Sequence, residues 1–196
     1  MSHWFSPSML EGKFVRLEPL AVHHYPLLLE ALEPDTFTYM NLDPLRDAKS
    51  LASKTVQKDI NPNRLPLVTV NLTDGRVAGS TSFYLIREDA PAVEIGGTWV
   101  KKAYQGTKVN TEAKYLMFEH AFEVWKAIRV QIRTHDRNEQ SKRATEKLGA
   151  VKEGVIRNES IFHDGSYRNT AMYSVIDSEW EEVKAALRGR LYDTSL

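Results

Sequence analysis

The stretch TWVKKAYQGTKVNTEAKYLMFEHAF, Thr98–Phe122, decides the fold. It opens like a buried strand, turns tightly at Gly106 and runs directly into a helical pattern. A glycine turn at the mouth of a helix exposes several backbone N–H groups together, at the positive end of the helix dipole. Such a place binds anions, phosphate first among them. The same residues can also do no more than turn the chain, with Asn110 or Thr111 as an ordinary helix cap. The flanking segments bear on that choice.

Downstream, the spacing predicts a helix over residues 111–125. Ala113, Met117, Ala121 and Val124 form one apolar stripe, and Tyr115, Phe118, Phe122 and Trp125 form another. Glu112, Glu119, Glu123 and Lys126 share the remaining face. So wide an apolar arc predicts a mostly buried helix. RVQIRTHD then alternates as a strand, Val130, Ile132 and Thr134 inward and Arg129, Gln131 and Arg133 outward. A shorter helix over 139–148 is closed by Gly149. VKEGVIRNESIF and NTAMYSVI read as strands joined across His163-Asp164-Gly165. A last helix starts near Asp177 or Ser178, with Glu181 completing a capping box for Ser178.

Upstream, KFVRLEPL (Lys13 to Leu20) reads as a first strand, and Val22 to Leu32 and Ala48 to Ile60 as two helices. LVTVNL and VAGSTSFYLI flank Thr73-Asp74-Gly75-Arg76, a hairpin signal. AVEIGGTWV is the strand that leads into the opening stretch. The order β-α-α-β-β-β-α-β-α-β-β-α surrounds one β-α-β unit with antiparallel stretches. It predicts an α/β (α+β) fold, a mixed, mostly antiparallel sheet with helices on both faces.

Composition narrows the function classes. At 196 residues, with no linker or repeat, the expectation is a single domain over 1–196 that buries about 70% of its unfolded surface. Lys plus Arg equals Asp plus Glu at 26 each, which argues against nucleic acid or an anionic membrane as the main partner. The absence of cysteine removes disulfides, thiolate metal sites and a covalent cysteine mechanism, and suits a reducing cytoplasm. The N-terminal MSHWFSPSMLEGK lacks a signal-peptide core, and no run approaches ~20 apolar residues. None of the six histidines has metalloprotease spacing, so no metal is expected, and His23-His24 reads as surface. Ser80, Ser82 and Ser174 lack a nucleophile elbow, which argues against a serine hydrolase.

Five segments in order, EIGGTWV, AYQGTKVNTEA, HAFE, RVQIRTHDRNEQSKRATEKLGA and KEGVIRNESIFHDG, together resemble the core of the GNAT acetyltransferases. The resemblance is strongest to the ribosomal-protein N-terminal branch, the RimJ/RimL type, and covers the chain from about Lys13. It implies acetyl-CoA as co-substrate and transfer of acetyl to a primary amine, on a protein N-terminus or a small molecule. It implies that Gln105, Gly106, Thr107, Lys108, Val109, Asn110 and Thr111 cradle the pyrophosphate. Thr98, Trp99 and Val100 would pair through their backbone with the pantetheine arm, which Asn138 would also contact. The family motif is broken twice, by Ala103 at its first position and by Lys108 where a small residue is usual. Lys108 either offers its charge to a phosphate or points into water.

Transfer to an amine needs the attacking nitrogen free of its proton and the leaving thiolate stabilised. Glu94, on the strand before the turn, is the candidate base, with a structural or solvated glutamate as the other reading. Ser141 matches the serine that in the RimL-like branch can hydrogen-bond the thioester sulfur, and is equally a first-turn cap residue. Backbone N–H groups near Trp99 can polarise the carbonyl. By fold analogy the acceptor meets Phe37, Tyr39 and Met40, with Tyr84 and His163 nearby. Without cysteine, attack would be direct, in a ternary complex. The alternatives are an inactive acyl-CoA-binding or regulatory module, and a structural partner that binds no CoA. A homodimer stays open.

Overall fold

The computed structural model describes residues 9–33, 36, 38–40, 64–162 and 164–193. The helix expected over Ala48 to Ile60, Phe37 and His163 lie outside the described residues. Eight strands form one sheet: β1 (Leu10–Glu11), β2 (Val15–Pro19), β3 (Arg64–Asn71), β4 (Val77–Arg87), β5 (Ala92–Val100), β6 (Arg129–His135), β7 (Val151–Ile161) and β8 (Tyr167–Ile176). Their spatial order is β1-β2-β3-β4-β5-β6-β8-β7. Among the described residues, only the β5–β6 pair is parallel. The helices are α1 (Tyr25–Ala31), α2 (Lys108–Glu119), α3 (Glu139–Lys147) and α4 (Trp180–Tyr192). None of them is long and apolar enough to cross a membrane.

The middle of the sheet is buried on both faces, since its strands carry apolar residues on both phases of the pleat, whereas the edge strand β7 is largely exposed. On β3, Leu65 and Leu67 join α2 and α4 in the larger core. Val68 and Val70 face the other way, packing with Trp99 against Leu28 and Ala31 of α1. The alternation read from β6 holds: Val130, Ile132 and Thr134 are buried, while Arg129, Gln131 and Arg133 are half-buried.

Several boundaries differ from the sequence reading. A short 3-10 turn, Val22–His24, precedes α1, and β3 starts at Arg64, three residues early. The central helix begins at Lys108 and opens into a π-turn over His120–Val124, which leaves Val124 exposed. Glu112 does not face solvent but is fully buried. It accepts from the N–H groups of Lys13, Phe14 and Val15 at 2.9, 2.6 and 2.7 Å and from the Tyr192 hydroxyl at 2.8 Å. Before α4 the reaching carboxylate is Glu179, not Glu181, and it accepts from Ile176 N–H at 3.0 Å. His24 is buried rather than on the surface. Its Nδ1 accepts from Ala21 N–H, which leaves Nε2 to donate to Glu18, 2.9 Å away. Glu18, His23 and His24 do bring ligand atoms within 4.8 Å of one another. With both nitrogens of His24 engaged, hydrogen bonds within the chain account for the buried part of that group.

Candidate active site

Two departures from regular pairing open the site. Parallel pairing of β5 with β6 runs from Ala92↔Arg129 to Ile95↔Ile132 and stops there, although β5 continues to Val100 and β6 to His135. Against β4, the β5 register passes from Ser82↔Gly96 to Ser80↔Trp99, so β5 carries one extra residue, a bulge at Gly97–Thr98. Gly97 has φ +57°, and a Cβ there would stand 2.4 Å from the Tyr84 hydroxyl, so only glycine fits. The strands diverge around a cleft of about 1250 Å³. Its wall brings together Glu94, Thr98, Trp99, Val100, Gln105, Gly106, Asn110, Asn138 and Ser141, with Tyr39, Met40 and Tyr84. Thr107, Lys108, Val109 and Thr111 are not part of that wall.

At one end stands the glycine turn. Gly106 has φ +73° with open space around it. The helix cap is Thr107, not Asn110 or Thr111: its hydroxyl donates to Tyr104 O at 2.6 Å and accepts from Val109 N–H at 3.3 Å. Other N–H groups of the first turn have no partner within the helix and remain for an anion. The Lys108 side chain turns away from this site. Its Nζ donates to Leu191 O at 2.5 Å and lies 4.9 Å from the Phe14 ring centroid. The carbonyls at the end of α4 attract the ammonium there. Gln105 ties the end of β5 to α3: its Nε2 donates to Val100 O at 2.9 Å and its Oε1 accepts from Gln140 at 3.0 Å. Asn110 Oδ1 is buried with no partner among the described residues, an acceptor that a bound donor would satisfy.

Glu94 stands at the other end, buried. Its Oε2 accepts from Gln131 Nε2 at 2.8 Å and from Arg133 Nε at 2.6 Å. Its Oε1 faces Gly96, 3.2 Å from where a Cβ would be. Arg133 also donates to Glu159 at 2.5 Å, and Glu159 accepts from the Thr170 hydroxyl. Gln131 and Arg133 point outward from β6, as expected; Gln131 lies in the paired part, opposite Glu94, while Arg133, just past the last pair, lines the cleft. Across the opening, Asn138 caps α3 by accepting from Ser141 N–H at 3.0 Å. Ser141 is therefore not the cap, and it lines the cleft. Tyr39 meets His135 edge-on at 5.4 Å, and Phe162 stacks on the same imidazole at 5.3 Å. Burial, then the charges of Arg168 and Arg137, hold His135 below its ordinary pKa. Its Nδ1 accepts from Arg137 N–H, so the neutral ring carries its proton on Nε2.

Sequence reasoning missed Lys114. It lines the cleft, is only 5% exposed, and donates to Thr81 Oγ1 at 2.9 Å and to Thr98 Oγ1. Burial lowers its ammonium to about 7. The signal available was a lysine set inside an arc that is otherwise apolar, one helical turn after Asn110.

The GNAT acetyltransferase domain model matches residues 15–151. The chain belongs to the GNAT acetyltransferase family. A Bacillus subtilis (strain 168) relative named "Putative ribosomal N-acetyltransferase YdaF" is 30% identical over 113 residues, 58% of this chain and 61% of that protein. The match thus spans about three-fifths of that relative's length. A solved structure from T. thermophilus, titled "Crystal structure of putative acetyltransferase", is 38% identical, covers 96% of this chain and 100% of its own, and has a TM-score of 0.87. The Microcin C7 self immunity acetyltransferase MccE, solved with acetyl-CoA and AMP, shares the fold at 19% identity. It covers 89% of this chain and 99% of its own, with a TM-score of 0.74. Within this GNAT chain the observed divergence of β5 from β6 and the helix start beside it are consistent with a CoA-shaped donor slot. The open turn at Gly106 and the orphaned Asn110 oxygen suit a phosphate-bearing, amide-bearing ligand.

Proposed function

We propose that the protein is an acyl-CoA-dependent N-acetyltransferase acting on a primary amine by direct attack in a ternary complex. The observation that carries this reading is the cleft itself, with a glycine turn and helix start at one end and a buried carboxylate paired with arginine at the other. Acetyl-CoA, when bound, supplies the acyl thioester. The backbone N–H groups at the Gly106 turn and the start of α2 that are not already bonded, as those of Gln105 and Val109 are, hold its pyrophosphate, Thr98 to Val100 and Asn138 its pantetheine arm, and the bulge beside Trp99 presents N–H groups to the carbonyl oxygen. Glu94, fixed through Oε2, has Oε1 left to take the acceptor's proton directly or through water. An α-amine near pKa 8 asks less of that base than a lysine amine near 10.4. Ser141 donates to the leaving sulfur. The acceptor, a protein N-terminus or a small amine, lies among Tyr39, Met40 and Tyr84, next to His135. A reducing compartment such as the cytoplasm suits a chain without cysteine.

The two breaks in the glycine motif, Ala103 and Lys108, favour one rival, an acyl-CoA-binding module without turnover. Both readings predict stabilisation by acetyl-CoA, about 2.7 kcal/mol at one hundred times its Kd. Thiol release across a panel of amines separates them. The enzyme reading expects one amine to accelerate release, and Glu94→Gln to lower that kcat roughly 10²-fold. Binding without turnover on peptide and small-molecule amines alike would leave the module reading. No thermal shift with acetyl-CoA would remove both.

A further inference from the structure

Lys114 is a buried lysine whose hydrogen-bond partners among the described residues are two neutral hydroxyls, Thr81 and Thr98, which also bond each other at 2.8 Å. The carboxylates of the cleft are engaged elsewhere. Glu33 accepts from Lys102 N–H, Glu94 from Gln131 and Arg133, and Glu159 from Arg133 and Thr170. Among the described residues, the other titratable groups on the cleft wall are Arg64, Lys102, His135, Arg168, Tyr39 and Tyr84, and none of them can offset a positive charge at neutral pH. Burial alone accounts for the lowered pKa of Lys114. An apolar side chain would fill this space at less cost, so the unbalanced charge suits an anion that arrives during function.

Its position says which anion. Lys114 sits six residues along α2 from Lys108, ~9 Å from the helix start at 1.5 Å per residue. Thr98 lies on the β5 bulge, between Val100 beside the glycine turn and Glu94 at the acceptor end. A donor anchored at the turn runs along this section towards an amine beside Glu94, so Lys114 flanks the donor's path to the reacting end.

We propose that Lys114 is a further catalytic residue, the cation that receives the departing thiolate. This rests on the acetyltransferase reading. As the amine forms its bond to the acyl carbon, the C–S bond breaks and its electron pair goes to sulfur. The Lys114 ammonium keeps its proton and pairs with that thiolate, whose charge in turn favours the charged lysine, and the sulfur takes a proton from water as CoA leaves. Ser141, on the opposite wall, then orients the sulfur rather than neutralising it.

The test uses CoA, the product thiol, and reads the ultraviolet absorbance of its thiolate while bound to the intact protein across about pH 6 to 9. A free alkyl thiol such as cysteine ionises near ~8.5, and a nearby cation lowers that. The parent is expected to lower the pKa of the bound thiol by at least about one unit, a tenfold gain in thiolate. Lys114→Met abolishes the drop, and Ser141→Ala keeps it. Should Lys114→Met fail to fold, Lys114→Gln, which keeps a donor for the threonines and loses the charge, must give the same loss. A bound thiol as weakly acidic as the free one, or an equal drop in parent and Lys114 variants, overturns the role of Lys114 alone. Failure of the parent to bind either CoA or acetyl-CoA overturns the acetyltransferase reading beneath it.

Discussion

Replacing Lys114 by methionine should make the protein more stable at neutral pH. Burial lowers this ammonium from 10.5 to about 7. The unfolded chain, where the pKa is ordinary, therefore binds the proton more tightly than the folded one. Between about 7 and 10.5 the unfolded state holds more protons, so stability rises with pH through that window. At about 1.36 kcal/mol per pH unit, the burden on the folded state has a ceiling of about 5 kcal/mol, reached below pH 7 and gone above 10.5. Methionine follows the lysine stem and removes the charge, and Thr81 and Thr98 keep their mutual hydrogen bond at 2.8 Å. Lys114→Met is expected to gain several kcal/mol at pH 7, with the gap over the parent shrinking by about 1.4 kcal/mol per pH unit towards pH 10. Denaturant unfolding of both proteins at four or five pH values measures it, and tyrosine titration cancels in the difference. A variant less stable than the parent at pH 7, or a gap that ignores pH, would falsify the picture of an unbalanced buried cation. The expected gain in stability accompanies a loss of catalytic power, the usual relation where a site is held in a costly state.

Two further substitutions test neighbouring parts of α2. Glu112→Leu removes one acceptor from four donors at once, three of them backbone N–H groups, and should destabilise by about 3 kcal/mol or more; a loss below about 1 kcal/mol in the same unfolding assay would mean water replaces the carboxylate. Lys108→Ala should cost about 0.5–1.5 kcal/mol of stability, through its contacts with Leu191 O and Phe14. The salt dependence of CoA binding should be the same in Lys108→Ala as in the parent, and a shallower slope in the variant would restore a phosphate contact for this lysine.

What was legible in the sequence was what repeats along it. The alternation of residues 129–135 placed β6 within its observed bounds, and the Asp-Gly pair at 74–75 marked the β3–β4 hairpin. The glycine turn and the helix start after it could be read because they are contiguous. Contacts closed over long separations were not legible. The partners of Glu112 lie 80 to 99 residues away, and those of Lys114 lie 16 and 33 residues away. A charged residue on a helix reads as solvent-facing because it usually is. α2 breaks that rule because α4 and the β1–β2 turn cover the side that carries Glu112. Arg133 illustrates the same limit in a strand: its outward phase was plain, but whether outward means solvent or cleft depends on where β5 leaves β6.

Glu112 and Lys114, two residues apart, show how a buried charge can be assigned a purpose. Both are taken out of water, and both would be destabilising if left unanswered. Glu112 is answered in full by four donors from the N-terminal segment and α4, so its charge is spent on joining three parts of the fold. Lys114 is answered only by hydroxyls, which solvate a cation without neutralising it. The first arrangement is complete in the protein alone. The second becomes complete when something negative enters the cleft; on the proposed acyl-transfer reading two groups turn negative there, the carbonyl oxygen, which the N–H groups beside Trp99 receive, and the leaving sulfur, which is left for Lys114.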